Sequence, residues 1–293
     1  MRTRIVSAVV AFAFLILAPA ITRAQSIVIA GDSISNEYRG TNNTCGSTSY
    51  ASTTLNWMEA LVAKRSINVG SWGAYGGLRG TGYAQNWAVN GHDSHDAYLN
   101  QASPASEQHP DVAILMVGGM DLEPNTHQRA REIYYGTISP SAYTSWKNGI
   151  LNDQRSALQL MTQYGGTRFL TTLPTPVASV NYSDPTGIAR LVTAQQDVNA
   201  LLAANASTYN YTVIDLEQWW SGLSTAGYLQ SNGSIVVGSH TIATTSGCEP
   251  HNQSVPSGLP GTVFSGMLAN YILSVTSLAT SLTDTEILSA AGL

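Results

Sequence analysis

Residues 112–117 read Val-Ala-Ile-Leu-Met-Val, six apolar residues in a row, closed by Gly118-Gly119. A short apolar run with no polar alternation reads as a strand buried on both faces. Three further stretches read as strands: Ser26 to Ala30, Thr167 to Leu173 and Tyr211 to Leu216. Helical spacing fills the stretches between and after them. It spans Thr54 to Lys64, Ser141 to Tyr164, Pro185 to Ala206 and Val263 to Leu278, with a short helix at Asp284 to Ala291. Strands alternating with long helices imply βαβ units and a parallel sheet covered by helices on both sides. Residues 68–82 form an aromatic, glycine-rich loop, and Gly233 to Thr244 alternates like a small hairpin. No internal repeat or composition break marks a second domain.

The first 24 residues read as a targeting segment. Arg2 and Arg4 precede an apolar run from Ile5 to Ala18, too short for a membrane span. Pro19 ends that run, and Thr22-Arg23-Ala24 puts small residues at −3 and −1 of a cleavage site. The expectation is a secretory signal peptide at 1–24, one domain at 25–293, and a secreted or periplasmic protein with no stable membrane insertion after cleavage. Without Arg2, Arg4 and Arg23 the 13 Lys and Arg fall to 10 against 18 Asp and Glu, a net charge of −8. A nucleic-acid partner is not expected, because phosphate binding needs basic clusters. No Cys-x-x-Cys, His-Glu-x-x-His or EF-hand spacing occurs, so neither metal nor cofactor is expected.

In a parallel sheet the chemistry sits just beyond the carboxyl ends of the strands. After the first strand comes Gly31-Asp32-Ser33, a tight turn that can present a serine with free backbone N–H groups around it. Further on come Asn86-Trp87-Ala88-Val89-Asn90-Gly91-His92-Asp93-Ser94 and, after the central strand, Gly118-Gly119-Met120-Asp121. His92 and His95, with Asp93 and Asp96, follow Gly91 and read either as polar loop residues near a cleft or as a cluster that supplies a base or lines a substrate groove. Asp121 and Glu123 read as caps on the following turn or as substrate-positioning groups at the sheet's edge. Trp72, Tyr75, Tyr83 and Trp87 suit a carbohydrate or acyl surface, or simply pack the loop.

These blocks resemble the SGNH, or GDSL-type, ester hydrolases. That family has Gly-Asp-Ser after the first strand, a segment ending in an oxyanion glycine, Gly-x-Asn-Asp after the third, and Asp-x-x-His before the last helix. The resemblance also takes in Gly82-Tyr83, Ile133 to Gly136, and the end from Leu268 to Leu288. It implies a three-layer α/β/α sandwich, flavodoxin-like, with a mainly parallel sheet of five strands. Ser33 would be the nucleophile, and the N–H groups of Ser33 and Gly91 the oxyanion donors. The substrate implied is a small-molecule or carbohydrate ester.

Two blocks depart from the pattern. Met120 stands where the family has its oxyanion asparagine, and a thioether donates no hydrogen bond. The Asp-x-x-His block fits in two registers. Placed on His251, its −3 position is Cys248. Placed by Pro260-Gly261-Thr262-Val263, the histidine becomes Leu259 and the aspartate Pro256. In one outcome His251 is the general base for Ser33, with Glu249 or a carbonyl orienting its ring. In the other the fold is kept as a ligand-binding protein and the chemistry is lost. An exported chain permits a Cys45–Cys248 disulfide. Cys45 lies twelve residues after Ser33 and Cys248 three before His251, so a bridge would tie the two loops together.

Overall fold

The structure is a computed structural model, and it describes residues 25–38, 44–45, 48–49, 54–75, 80–176, 181–246, 252–254 and 259–293. The expected signal peptide, Cys248, Glu249, His251 and Pro256 lie outside these residues.

Four strands form one parallel sheet in sequential order: β1 (Ile27–Gly31), β2 (Val112–Met116), β3 (Thr167–Thr171) and β4 (Thr212–Ile214). Ile29 pairs with Ile114, which pairs in turn with Phe169. Alternate residues of each strand face opposite sides, as the pleat requires. Ile27, Ile29, Ile114, Met116 and Ile214 join one core. It is roofed by α1 (Trp57–Arg65), α6 (Thr262–Thr276) and α7 (Asp284–Ala290). Val28, Ala30, Ala113, Leu115 and Leu170 join the other. That side is covered by α3 (Pro140–Met161), α4 (Pro185–Tyr209) and a shorter helix starting at Ser94. Two smaller helices complete the set, α2 (Gln128–Tyr135) and α5 (Leu216–Thr225). This is an α/β/α three-layer sandwich. Burying one branched side chain in such a core stabilises by about 1.5–3 kcal/mol.

The parallel sheet among the described residues has four strands, not the expected five. The outer edge of β1 shows why. Ile27 N–H donates to Asn68 O, Ile29 N–H to Gln85 O, and Trp87 N–H to Ile29 O. Only isolated bridges form there, Ser26 with Asn68 and Ile29 with Asn86. The fifth position is thus filled by two separate irregular stretches, which satisfy the edge without building a ladder. The expected hairpin is present as Ile235–Val237 against His240–Ser246.

A second expectation is corrected as well. No disulfide is present among the described residues, so the Cys45–Cys248 bridge is withdrawn. A hydrogen bond links the serine's turn to the segment entering α6 instead: Tyr38 Oη donates to Pro260 O at 2.7 Å. Among the described residues no helix is long and apolar enough to cross a membrane.

Candidate active site

Gly31 ends β1 where the chain turns sharply past β2. Asp32 N–H donates to Met116 O at 3.2 Å, and a Cβ on Gly31 would lie 2.0 Å from that same oxygen. No side chain fits, so the strand must end in glycine here. Residues 32–36 then make a single helical turn, with Ser35 and Asn36 N–H groups both donating to Asp32 O. Ser33 is the second residue of that turn, half-buried at the carboxyl end of the sheet. Neither its hydroxyl nor its N–H has a partner among the described residues.

The turn is held by two buried amides and a buried indole. Asn56, the N-cap of α1, donates through Nδ2 to Ser35 O and Asn36 O at 3.1 and 3.0 Å. Trp57 Nε1–H donates to Ser35 Oγ at 3.0 Å, and Asn86 Nδ2 donates to Ser35 O at 2.8 Å. Asp32, only 2 % exposed, accepts from Ile34 N–H and, at 3.4 Å, from Gly119 N–H. Burial raises its carboxyl to about 6, against the lowering effect of those N–H groups.

Gly91 lies on the loop that runs beside β1. Val89 N–H donates to Gly31 O at 3.1 Å, which fixes that loop against the end of the strand. Gly91 has φ +82° and is exposed, and a Cβ there would meet nothing within 4 Å. Its N–H, like that of Ser33, has no acceptor among the described residues. Two backbone donors are therefore unpaired among the described residues, on segments that the Val89–Gly31 hydrogen bond ties together, and the Ser33 hydroxyl is unpaired among them as well.

Two polar groups nearby were not singled out by their residue type. Gln101, 1 % exposed, accepts from Gly31 N–H through Oε1 at 2.7 Å. Its Nε2 donates to Gly31 O at 2.9 Å and to His92 Nδ1 at 3.0 Å. It belongs to a π-helical turn (Ala97–Gln101) between two short α-helical pieces (Ser94–Asp96 and Ala102–Ser106). Nothing in local sequence marks it, because its partner is seventy residues away.

For Asp121 the reading as a cap on the following turn is corrected. It accepts from the N–H and Oγ of Ser94 at 3.0 and 2.8 Å, joining the turn after β2 to the start of the neighbouring helix. Gln154 of α3 completes the knot, donating to Ser94 Oγ and Val117 O. Burial raises the Asp121 carboxyl to about 7; Ser94 opposes the rise, and the negative charges of Asp93 and Asp32 add to it. Asp215, at the end of β4, caps α5 by accepting from Glu217 and Gln218 N–H.

Met120 opens a short 3₁₀ turn (Met120–Leu122) and is half-buried. Leu259 is half-buried beside Pro260. His95 is exposed against Asp153, and His240 is exposed on its strand. Among the described residues, no three His, Cys, Asp or Glu side chains are grouped to hold a metal. A cavity of about 220 Å³ lies elsewhere, between α5, α6 and α7, walled by Trp219, Leu223, Met267 and Tyr271.

A Gly-Asp-Ser turn at the carboxyl edge of a parallel sheet, inside an α/β/α sandwich, is the arrangement expected of a GDSL-type fold. The model of the GDSL-like lipase/acylhydrolase family matches residues 29–233, and the chain belongs to that family. Its general activity is that of an ester hydrolase. Among solved structures, it is similar to an acetylxylan esterase from Geobacillus stearothermophilus, at 13 % identity and TM-score 0.47, covering 85 % of this chain and 93 % of that one. A lipase/acylhydrolase from Enterococcus faecalis is 16 % identical with TM-score 0.41, over 85 % and 94 %. An esterase from a Pseudoalteromonas species is 10 % identical with TM-score 0.44, over 86 % and 97 %. No curated protein matches the chain.

Proposed function

We propose that this chain is a secreted or periplasmic serine esterase acting on a small ester or an acylated carbohydrate through an acyl-enzyme. Ser33 Oγ attacks the ester carbonyl carbon, and His251 takes the hydroxyl proton. The carbonyl oxygen becomes an oxyanion held by the N–H groups of Ser33 and Gly91. The C–O bond to the alcohol breaks, and the alcohol leaves with the proton from His251. Water then attacks the acyl-Ser33 carbonyl carbon while His251 takes its proton; the bond to Ser33 Oγ breaks, His251 returns the proton to Oγ, and the acid departs.

The observation that carries this proposal is the pair of N–H groups, Ser33 and Gly91, on segments that the Val89–Gly31 hydrogen bond ties together, which like the hydroxyl of half-buried Ser33 have no partner among the described residues. Open backbone donors of this kind are what an oxyanion forming on a Ser33 adduct would need. The sugar component draws support from Trp72. It is 39 % exposed and packs edge-on to Tyr83, whose N–H donates to Glu37, the residue that follows the Ser33 turn.

The test is hydrolysis of short-chain aryl esters by wild type, Ser33→Ala and His251→Ala. Both substitutions are expected to remove activity by about 10³-fold or more. Equal rates in all three proteins would leave the alternative, a ligand-binding protein on a hydrolase fold. Met120 and Leu259, at the positions of the family's asparagine and histidine, are the residues that favour that alternative.

A further inference from the structure

Met120 leaves the oxyanion site one donor short of its family, and a different side-chain donor, His92, directly follows Gly91 in the chain. Gln101 is locked in orientation by Gly31. The Gly31 N–H needs an acceptor, so the amide oxygen must face it and the amide nitrogen must face away, toward Gly31 O and His92. An amide NH₂ can only donate, so His92 Nδ1 has to accept. The ring proton is then on Nε2. That nitrogen has no acceptor among the described residues, and the ring is half-buried next to Gly91.

We propose that His92 Nε2–H is a third donor to the oxyanion, replacing the side-chain amide that Met120 lacks. The proposal rests on the Ser33 acyl-transfer mechanism above. The same geometry argues against His92 as the base. With Nδ1 engaged by Gln101 and Nε2 protonated, the ring offers no lone pair to the Ser33 hydroxyl. Asn90 is also a neighbour of Gly91, but it is exposed and nothing among the described residues orients its amide. A donor that must be ordered during the reaction contributes less than one already fixed.

The experiment measures kcat and KM for a short-chain aryl ester with wild type, Ser33→Ala, His92→Phe, Met120→Asn and the double variant His92→Phe/Met120→Asn. His92→Phe is expected to lower kcat by about 10²-fold with KM changed by less than about threefold. Adding Met120→Asn to it is expected to restore kcat by about tenfold or more, because the amide returns to the family's position. A merely structural role for His92 would not be rescued from residue 120. ¹⁵N NMR of the imidazoles supplies an independent reading, with a protonated Nε2 and a bare Nδ1 expected for His92. An unchanged kcat in His92→Phe, a loss that Met120→Asn does not repair, or a proton on Nδ1 would each overturn the proposal. If Ser33→Ala abolishes hydrolysis while His92→Phe is silent, only the donor role falls. If wild type and Ser33→Ala are equally inactive, the acyl-transfer mechanism falls and the donor role with it.

Discussion

The side of the rim that carries Ser33 and the side that leads into α6 are built by different means. Around Ser33 the backbone is gripped by buried side chains from four separate segments: Asn56 and Trp57, Asn86, Gln101, and Asp32 itself. The entry to α6 follows residues 255–258, which lie outside the described ones, and is tied by different groups. Tyr38 Oη reaches Pro260 O, and Leu55 N–H reaches Thr262 Oγ1 at 2.8 Å. The sequence departs from its family in step with this. The nucleophile and glycine blocks are intact, whereas the acid–base block offers either Leu259 or a displaced His251. On the proposed mechanism, the N–H groups offered to the oxyanion belong to the side that buried side chains hold, and the departures from the family's acid–base block belong to the other.

This contrast can be broken by substitutions on the two sides. Gly31→Ala should be the most damaging, at about 3–5 kcal/mol, because its Cβ would collide with the backbone of Met116. Urea denaturation would register it as a lowered midpoint, or as no folded protein at all. Gln101→Leu should cost about 1–3 kcal/mol, since Gly31 N–H is left buried without an acceptor. On the other side, Thr262→Val should cost about 1 kcal/mol through the orphaned Leu55 N–H. If Thr262→Val proves the more destabilising of these last two, the contrast is reversed.

The two raised carboxyls sharpen the same contrast through pH. Free Asp titrates near 4, whereas folded Asp32 and Asp121 titrate near about 6 and about 7. Between those limits the folded protein holds protons that the unfolded chain has released. Stability from these groups therefore falls as pH rises through the window and is level above it. Asn at position 121 keeps an oxygen for both Ser94 donors and carries no charge. Asp121→Asn is thus expected to stabilise by about 1–2 kcal/mol at pH 8 and by nearly nothing at pH 4. A variant less stable than wild type at pH 8 would contradict the assignment.

Much of the frame was legible beforehand because it is written in local patterns. The apolar run at 112–117 became β2, and Pro185, placed at the first turn, opens α4 behind the cap of Asp184. Gly31-Asp32-Ser33 lies at the strand end where its spacing put it. The helix from Ser94 to Ser106 was missed because its buried face is made of Ala97, Ala102 and Ala105, too small to raise a hydrophobic period, and Pro104 argues against a helix. Leu216–Thr225 was missed because it starts one residue after Asp215, with no loop to announce it. Gln101 and Asp121 were illegible for another reason. Their partners are set by tertiary packing, and nothing in the residues beside them encodes it.

The most direct measurement is covalent labelling. An alkyl fluorophosphonate is attacked by an activated serine oxygen at phosphorus, with loss of fluoride, and the adduct is read by intact-mass and peptide mass spectrometry. One adduct per chain, on Ser33 and absent from Ser33→Ala, is the result expected. No adduct, or one that persists when Ser33 is alanine, would contradict the assignment of Ser33 as a presented nucleophile.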